Sequence, residues 1–151
     1  MRRFAGKAVI VTGASSNPGI GTACARRLGR EGASVVINAR SESSLRATAD
    51  ALAADGINVE AVAGSMQDDD TAARLVDAAL ARFGRIDGLV NTVGGAPHQV
   101  PVRELTRAQI LETVDLNVWT AVALIEEAAR REYKALPRRD AIGTDSDRQR
   151  K

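Results

Sequence analysis

The clearest chemistry in the sequence lies in residues 9–21, which read VIVTGASSNPGIG. The apolar, β-branched run at 9–11 is typical of a strand buried on both faces in a parallel sheet. The glycines that follow, Gly13, Gly19 and Gly21, permit a tight turn and a close approach of the backbone to a ligand. Because the start of the next helix presents free N–H groups to an anion, the segment predicts a phosphate-binding turn that would suit a pyrophosphate.

Strands and helices alternate along the chain around this turn. Apolar runs predict four strands, at 7–12, 33–39, 57–63 and 86–90. Amphipathic patterns predict four helices, at 18–30, from Ser41 to about 55, from the acidic run 68–70 to 83, and at 106–131. Four alternations with short connections imply right-handed crossovers. The predicted fold class is therefore α/β, with a doubly wound parallel sheet of about four strands.

Single residues predict the faces and ends of these helices. Ile20, Cys24 and Leu28 recur at the spacing of one helical face, which predicts that they point into the core. Ser41 is a suitable N-cap for the second helix. Gly84 is expected to end the third helix.

The net charge of +2 does not indicate a nucleic-acid-binding protein. Six basic and four acidic residues lie in 132–151, so residues 1–131 carry balanced charge. No basic face with interleaved aromatic side chains is present, so we expect no nucleic-acid partner. The dense mixed charge of residues 132–151, interrupted by Pro137, instead predicts a frayed or disordered tail.

Composition also argues against other classes of protein. No apolar run approaches the roughly 20 residues that a membrane span needs, and the apolar segment before Gly13 is too short for a signal peptide. We therefore expect no membrane association and a cytoplasmic location. The single cysteine, Cys24, excludes an internal disulfide and gives no metal cluster. The acidic run 68–70 favours the start of a helix over a metal site, so no metal is predicted.

Three motifs, in order and at similar spacing, resemble those of the short-chain dehydrogenase/reductase family. The first is the glycine turn, which reads TGxxxGxG in the family and is two residues longer here. The second is residues 91–94, NTVG, where the family has NNAG, and the third is Asn117 in the next long helix. The resemblance covers about residues 5–131.

The resemblance implies a Rossmann-like, dinucleotide-binding domain over residues 1–131. It assigns the cofactor contacts to the glycine turn and to residues after the later strands, namely Gly13, Ser15, Ser16, Gly19, Ile20, Gly21, Arg40, Ser41, Ser65, Met66, Asn91, Val93 and Gly94. Where relatives of the NAD-binding kind carry an acidic residue, this chain has Ala39, and Arg40 beside it can fork onto a 2′-phosphate. NADP(H) is therefore expected in preference to NAD(H). Ser65 stands where relatives commonly have an Asp.

The family's catalytic residues are missing from the resemblance. Hydride transfer there uses a Ser and a Tyr-x-x-x-Lys pair, whereas the only tyrosine here is Tyr133, adjacent to Lys134. Neighbours on a helix diverge by about 100°, so this pair cannot share a face. Asn117 would remain only as a remnant of the proton relay. The resemblance thus implies an oxidoreductase that is truncated before its catalytic residues and is inactive alone.

Two alternatives remain open for the function of the chain. It could be an active carbonyl/hydroxyl oxidoreductase completed by another chain, or a non-enzymatic interaction module. Both draw on the predicted strand at 86–90, which becomes an unpaired apolar edge when the family's later strands are absent. Such an edge favours a homo-oligomer or a partner chain.

Overall fold

The central strand of the sheet consists of five consecutive buried residues, Ala8–Thr12. The computed structural model describes residues 2–15 and 18–135, and side chains as far as residue 131. Its strands are β1 Ala8–Thr12, β2 Ser34–Ala39, β3 Val59–Ala63 and β4 Gly88–Asn91. Its helices are α1 Ile20–Arg30, α2 Glu42–Ala54, α3 Thr71–Phe83, α4 Arg107–Val114 and α5 Thr120–Ala135, with a 3-10 turn at Val102–Glu104 and a π-helical segment at Asp115–Trp119.

The four strands form one parallel sheet in the order β3-β2-β1-β4. Ile10 at the centre of β1 lies opposite Val36 on one side and Leu89 on the other. Helices alternate with the strands, and each strand falls within two residues of its predicted bounds. The predicted doubly wound, Rossmann-like α/β fold is therefore confirmed.

The two faces of the sheet bury separate cores, which is why β1 is apolar at successive positions. On one face, Val11 packs in a cluster with Leu52 of α2. On the other face, Ile10 packs in a cluster with Leu75 of α3 and Leu124 of α5. Burying one side chain of this size contributes about 1.5–3 kcal/mol to the hydrophobic term of folding.

Helix α1 faces the sheet with its small residues, and the prediction from its large apolar residues was wrong in part. Ile20 is 76% exposed, whereas Cys24 and Leu28 are only partly buried against the core. The fully buried positions of α1 are Gly21, Thr22, Ala25 and Gly29. A Cβ atom on Gly29 would lie 2.3 Å from Cγ2 of Ile57, so the helix approaches the sheet too closely for larger side chains.

Two predicted helix ends are confirmed. The Oγ of Ser41 accepts a hydrogen bond from the backbone N–H of Ser44 at 3.4 Å and so caps α2. Gly84 follows α3 in the left-handed conformation, with φ of 72°, where a side chain would be strained.

The last predicted helix differs from the observed one in length and in regularity. Helix begins after the N-cap Thr106, as predicted, but continues to Ala135 instead of ending near 131. The π-helical segment interrupts it at Asp115–Trp119, which amphipathic spacing did not predict. The remainder of the predicted charged tail, residues 136–151, lies outside the described residues.

The β4 edge of the sheet is open within the part of the chain that the structure describes. There β4 pairs with β1 alone, as predicted, and α4 has no buried residue. Large apolar side chains that are about half exposed follow one another along α4, the π-helical segment and α5: Ile110, Leu111, Val114, Val118, Val122 and Ile125. We call these six residues the apolar stripe.

The helical stretch Arg107–Arg131 contains an 18-residue window with a mean hydropathy of 1.2, so it is long and apolar enough to cross a bilayer by length and composition alone. Charged residues interrupt this stretch, so the sequence shows no continuous apolar run there. Its residues Leu124 and Ala128 pack in the core beneath the sheet. The expectations of no membrane or nucleic-acid partner and of a cytoplasmic location stay predictions.

Candidate functional site

A cleft of about 360 Å³ opens at the carboxyl ends of the strands. Its walls come from all four strand ends and from the π-helical segment, and they consist of Gly13, Ser15, Asn38, Ala39, Arg40, Gly64, Ser65, Met66, Gln67, Thr92, Val93, Gly94 and Leu116. The chain runs from β1 outward to β2 and β3, and then returns to the opposite side of β1 as β4. Ligands of open α/β sheets bind at such a reversal of strand order.

The glycine turn contributes Gly13 to the lining of this cleft, and neither Gly13 nor Gly21 has room for a side chain. Gly13 has a φ of 72°, and a Cβ on it would lie 2.6 Å from Oγ1 of Thr92. A Cβ on Gly21 would lie 2.4 Å from the backbone oxygen of Gly13. Gly19, the N-cap of α1, gives no side-chain cap, so the first amides of the helix stay available to an anion.

Hydrogen bonds between β1 and β4 hold this turn in place. The Thr92 hydroxyl donates to the backbone oxygen of Thr12 at 2.7 Å. The Thr12 hydroxyl in turn donates to Oδ1 of Asn91 at 2.6 Å, and Nδ2 of Asn91 donates to the backbone oxygen of Val93 at 3.3 Å. Asn91 thus supports the cleft through its hydrogen bonds to Thr12 and Val93. Sequence reasoning treated Thr92 as a departure from a motif and missed its contact with the turn.

The β2 and β3 ends form the second wall of the cleft. Asn38 is buried, and its Nδ2 donates to the backbone oxygens of Val62 and Gly64, both at 3.0 Å. These bonds fix the chain where it leaves β3. Arg40 is exposed at the mouth of the cleft and pairs with no carboxylate among the described residues, and Ser41 beside it caps α2.

The loop after β3 contributes Ser65 and Met66, which were predicted, and Gln67, which sequence reasoning missed. Ser65 lines the cleft, and its Oγ accepts from the backbone N–H of Gln67 at 3.2 Å. Met66 also lines the cleft, while its side chain belongs to the core against α3. Nε2 of Gln67 donates to Oδ2 of Asp115 at 2.8 Å and so joins this loop to the π-helical segment. No local pattern relates two residues 48 positions apart.

Asn117 holds the loop that follows β4. Its Nδ2 donates to the backbone oxygens of Gly95 and Thr113, both at 2.8 Å, and its Oδ1 accepts from the Gly95 N–H at 2.9 Å. A Cβ on Gly94 would lie 2.6 Å from Oδ1 of Asn117. Asn117 is thus a positioning residue for this wall of the cleft. Farther along the same loop, His98 lies 2.5 Å from a carboxylate oxygen of Glu112 on α4.

The structure brings most of the predicted cofactor residues to one site. Gly13, Ser15, Arg40, Ser65, Met66, Val93 and Gly94 line the cleft itself. Gly21, Ser41 and Asn91 support its walls, whereas Gly19 and Ile20 line a separate open hollow at the start of α1. Ser16 lies outside the described residues.

The strongest pKa shifts occur away from the cleft, among residues that join the amino ends of the strands. Arg85 holds the pKa of the Asp87 carboxyl well below its usual range, helped by the N–H of Ala8 and by Lys7 and opposed by burial. Asp87 thereby ties the start of β4 to the start of β1. This carboxyl supports the fold, and it does not face the cleft.

Comparison with known proteins agrees with this geometry. A family model described as short chain dehydrogenase matches residues 7–135. The chain belongs to the short-chain dehydrogenase/reductase family. The matched residues include the three motifs read from the sequence, namely the glycine turn, residues 91–94 and Asn117.

The relatives include plant and bacterial proteins. Tropinone reductase-like 3 of Erythroxylum coca is 36% identical over 129 residues, which are 85% of this chain and 49% of the relative. A short chain dehydrogenase from Mycobacterium smegmatis superposes with a TM-score of 0.81 at 32% identity, over 90% of this chain and 55% of that one. A short chain dehydrogenase from Burkholderia cenocepacia, solved with NADP, gives a TM-score of 0.75 at 32% identity, over 85% of this chain and 51% of that one. This family member spans about half the length of the curated relatives it matches.

Proposed function

We propose that the cleft binds a nicotinamide dinucleotide and prefers NADP(H) to NAD(H). The observation that carries this proposal is Arg40, which lies at the end of β2 with no carboxylate partner among the described residues. The residue before it is the small, buried Ala39, and none of the lining residues is acidic. A planar guanidinium can bond a phosphate in a bidentate manner, whereas an acidic residue at this point would repel it.

The relatives support the same proposal. The solved relative from Burkholderia cenocepacia contains NADP, and its fold matches 85% of the length of the present chain. In this chain the glycine turn would receive the pyrophosphate at the start of α1, and Arg40 with Ser41 would receive the 2′-phosphate. The two additional residues of the turn are Asn17 and Pro18, and of these Asn17 lies outside the described residues.

Fluorescence titration with NADPH and NADH tests the preference. The wild-type chain should bind NADPH more tightly, and Arg40→Leu should lower its affinity about tenfold towards that of NADH, since charge-assisted hydrogen bonds are worth about 1.5–3 kcal/mol. Arg46→Gln is the matched control, because it removes an exposed positive charge one turn along α2 outside the cleft. Equal affinity for the two nucleotides, or an equal loss in both variants, would contradict the preference. No saturable binding of either would defeat the proposal.

We further propose that this chain alone binds the cofactor without turning over substrate. Its sequence has one tyrosine, Tyr133, with Lys134 adjacent instead of one helical turn away. Both the oxygen and the nitrogen of the Asn117 side-chain amide are hydrogen-bonded to the backbone. Asn117 therefore positions a loop and supplies no acid or base. General acid–base catalysis is worth about 10²–10⁴ in rate. NADPH oxidation with a panel of carbonyl compounds should therefore stay at background, and clear turnover by the purified chain would overturn this part.

The open β4 edge favours an interaction role in addition to cofactor binding. A hollow of about 230 Å³ lies between β4 and α5, lined by Leu89 and Ile125, and the apolar stripe continues from it. Unpaired strand edges and contiguous apolar surface associate with other chains. We propose a second copy of this chain as the occupant, because a strand edge complements itself across a two-fold axis.

Sedimentation velocity tests this proposal. Wild-type protein should sediment as a dimer, and Ile125→Glu should shift it to the monomer by placing a charge in the hollow. Val102→Glu is the control, since Val102 is 88% exposed outside the stripe. A wild-type monomer at all concentrations would overturn self-association and leave a different partner chain as the occupant to test.

A further inference from the structure

The cleft lies mainly to one side of the point where the strand order reverses. The ends of β2 and β3 supply more than half of its lining residues, and the turn after β1 supplies Gly13 and Ser15. The β4 side contributes residues 92–94, together with Leu116 of the π-helical segment. Most of the wall therefore belongs to β1, β2 and β3.

The chain as far as β3 forms one complete nucleotide-binding unit. The elements β1, α1, β2, α2 and β3 follow one another along the chain, and their strands lie in the order β3-β2-β1. Sheets that hold a whole dinucleotide are built from two such units, one for each nucleotide half. Strand β4 lies on the other side of β1 and pairs with β1 alone among the described residues. The complete unit can therefore hold one half of a dinucleotide.

Three polar side chains on the β4 side are already engaged within the chain. The Thr92 hydroxyl donates to the backbone oxygen of Thr12, and the Asn91 amide bonds the Thr12 hydroxyl and the backbone oxygen of Val93. Both the oxygen and the nitrogen of the Asn117 amide are bonded to backbone. A nicotinamide carboxamide needs partners that donate and accept hydrogen bonds. A carboxamide placed here would have to compete for groups that are already bonded.

The start of α1 offers another place for a nicotinamide ring, and this place is open to solvent. Gly19 and Ile20 line a hollow there that is separate from the cleft. Ile20 is 76% exposed, so a ring against it would remain largely in water. Arg40, in contrast, stands at the mouth of the cleft and pairs with no carboxylate in the part of the chain that the structure describes. The charge that can hold a ligand therefore lies on the β2 side.

We propose that this chain recognises the 2′-phosphoadenosine diphosphate part of the dinucleotide and leaves the nicotinamide end in solvent. This rests on the proposed binding of NADP(H) in the cleft. The ligand class is then wider than the dinucleotides, since any adenosine diphosphate with a phosphate on the 2′-oxygen of its ribose presents the same groups. Because the oxidised and reduced cofactors differ only in the nicotinamide ring, NADP⁺ and NADPH should bind with the same affinity.

Titration calorimetry on the full chain compares NADPH, NADP⁺ and 2′-phospho-ADP-ribose, which carries a hydroxyl in place of the nicotinamide. Heat reports the binding of all three, because it does not depend on a nicotinamide ring. The three dissociation constants should agree to within about twofold, whereas one hydrogen bond to the ring would be worth about tenfold. Nicotinamide mononucleotide, the other half of the cofactor, should show no saturable binding.

Two variants separate the halves of the cofactor. Arg40→Leu should weaken all three ligands by the same factor, since they share the 2′-phosphate. Ile20→Ala should leave all three affinities at their wild-type values. Its matched control is Val102→Ala, because Val102 is 88% exposed and lines neither the cleft nor the hollow. A loss in Ile20→Ala that is confined to NADPH and NADP⁺ would place the ring in the hollow and overturn the inference.

The wild-type affinities distinguish this inference from the proposed function. Binding of NADPH about tenfold tighter than 2′-phospho-ADP-ribose would show that the nicotinamide end is held. That result, or a similar difference between NADPH and NADP⁺, or saturable binding of nicotinamide mononucleotide, would overturn the inference and leave the cofactor site intact. Failure of the chain to bind NADPH, NADP⁺ and 2′-phospho-ADP-ribose would overturn the proposed function as well.

Discussion

The side-chain hydroxyl of Thr92 donates a hydrogen bond to the backbone oxygen of Thr12 at 2.7 Å. Thr12 ends β1 directly before the glycine turn, and Thr92 directly follows β4. The same hydroxyl lies 3.4 Å from the backbone oxygen of Gly13. One hydroxyl therefore fastens the turn to the neighbouring strand at the point where the strand order reverses. The shape of the turn depends on a residue 80 positions away along the chain.

Replacing Thr92 by Val should weaken both stability and nucleotide binding. The isosteric change removes the hydroxyl, leaves the Thr12 oxygen without this donor, and should cost about 1 kcal/mol in the free energy of unfolding. NADPH affinity should fall as well, because the glycine turn loses its tie to β4. Urea unfolding and fluorescence titration measure the two effects.

The control for Thr92→Val is Thr48→Val on α2. Thr48 is buried, and its hydroxyl likewise donates to a backbone oxygen, that of Ser44 at 3.0 Å, but it does not line the cleft. Thr48→Val should lose similar stability and keep its NADPH affinity. Similar losses of affinity in both variants would show that Thr92 acts only through stability.

Replacing Asn117 by Leu should loosen the loop after β4. The change removes both hydrogen bonds to Gly95 and the bond to the backbone oxygen of Thr113. Amide hydrogen exchange in a peptide spanning residues 93–101 should accelerate, since local opening becomes easier. Asn58→Leu removes a side-chain bond to Ser34 elsewhere and should leave this peptide unchanged. Unaltered protection in Asn117→Leu would contradict the positioning role of Asn117.

Replacing Gly29 by Ala should destabilise the fold despite the better helix propensity of alanine. The added Cβ would lie 2.3 Å from Cγ2 of Ile57, and overpacking of this kind costs about 1–3 kcal/mol against a gain of about 1 kcal/mol in propensity. The urea midpoint should therefore fall. Gly88→Ala, whose Cβ would meet Val9 at an ordinary 3.7 Å, should be tolerated better. A higher midpoint in Gly29→Ala would refute the close approach of α1.

Acid should destabilise the protein through Glu31. Hydrogen bonds from Arg3 and Arg27 lower the pKa of Glu31 from an ordinary 4.5 to about 2. Between these two values the unfolded chain binds a proton that the folded chain does not, so stability is present above pH 4.5 and is lost as the pH falls towards 2. Asp87, whose pKa is also lowered, acts in the same direction.

Urea unfolding at a series of pH values measures this loss. Glu31→Gln should be less stable than the wild-type chain at pH 7, because it cannot form the ion pairs, and its stability should fall less steeply between pH 4.5 and 2. A profile parallel to that of the wild-type chain would show that Glu31 does not contribute to the acid response.

Local patterns predicted the elements well and their contacts less well. The Ser41 cap and the Gly84 stop were readable because each depends on a few neighbouring residues. The inner face of α1 was read from its large apolar residues, although Ile20 is 76% exposed. The buried face of α1 is instead decided by how closely the helix approaches Ile57. Helical periodicity carries no information about this distance. The π-helical segment around Asn117 was missed for a similar reason, since its spacing departs from the regular helical period.

The sequence by itself determined the alternation of strands and helices, the parallel sheet and the glycine turn, because these follow from apolar periodicity and from where a backbone must lack a side chain. Only the tertiary structure decided that Thr92 holds that turn and that Gln67 meets Asp115 across the cleft. Both contacts join residues far apart in the chain, and their distances depend on how the sheet and helices pack. Seven of the predicted cofactor residues line one cleft, whereas the contacts that hold its walls together depend on the fold.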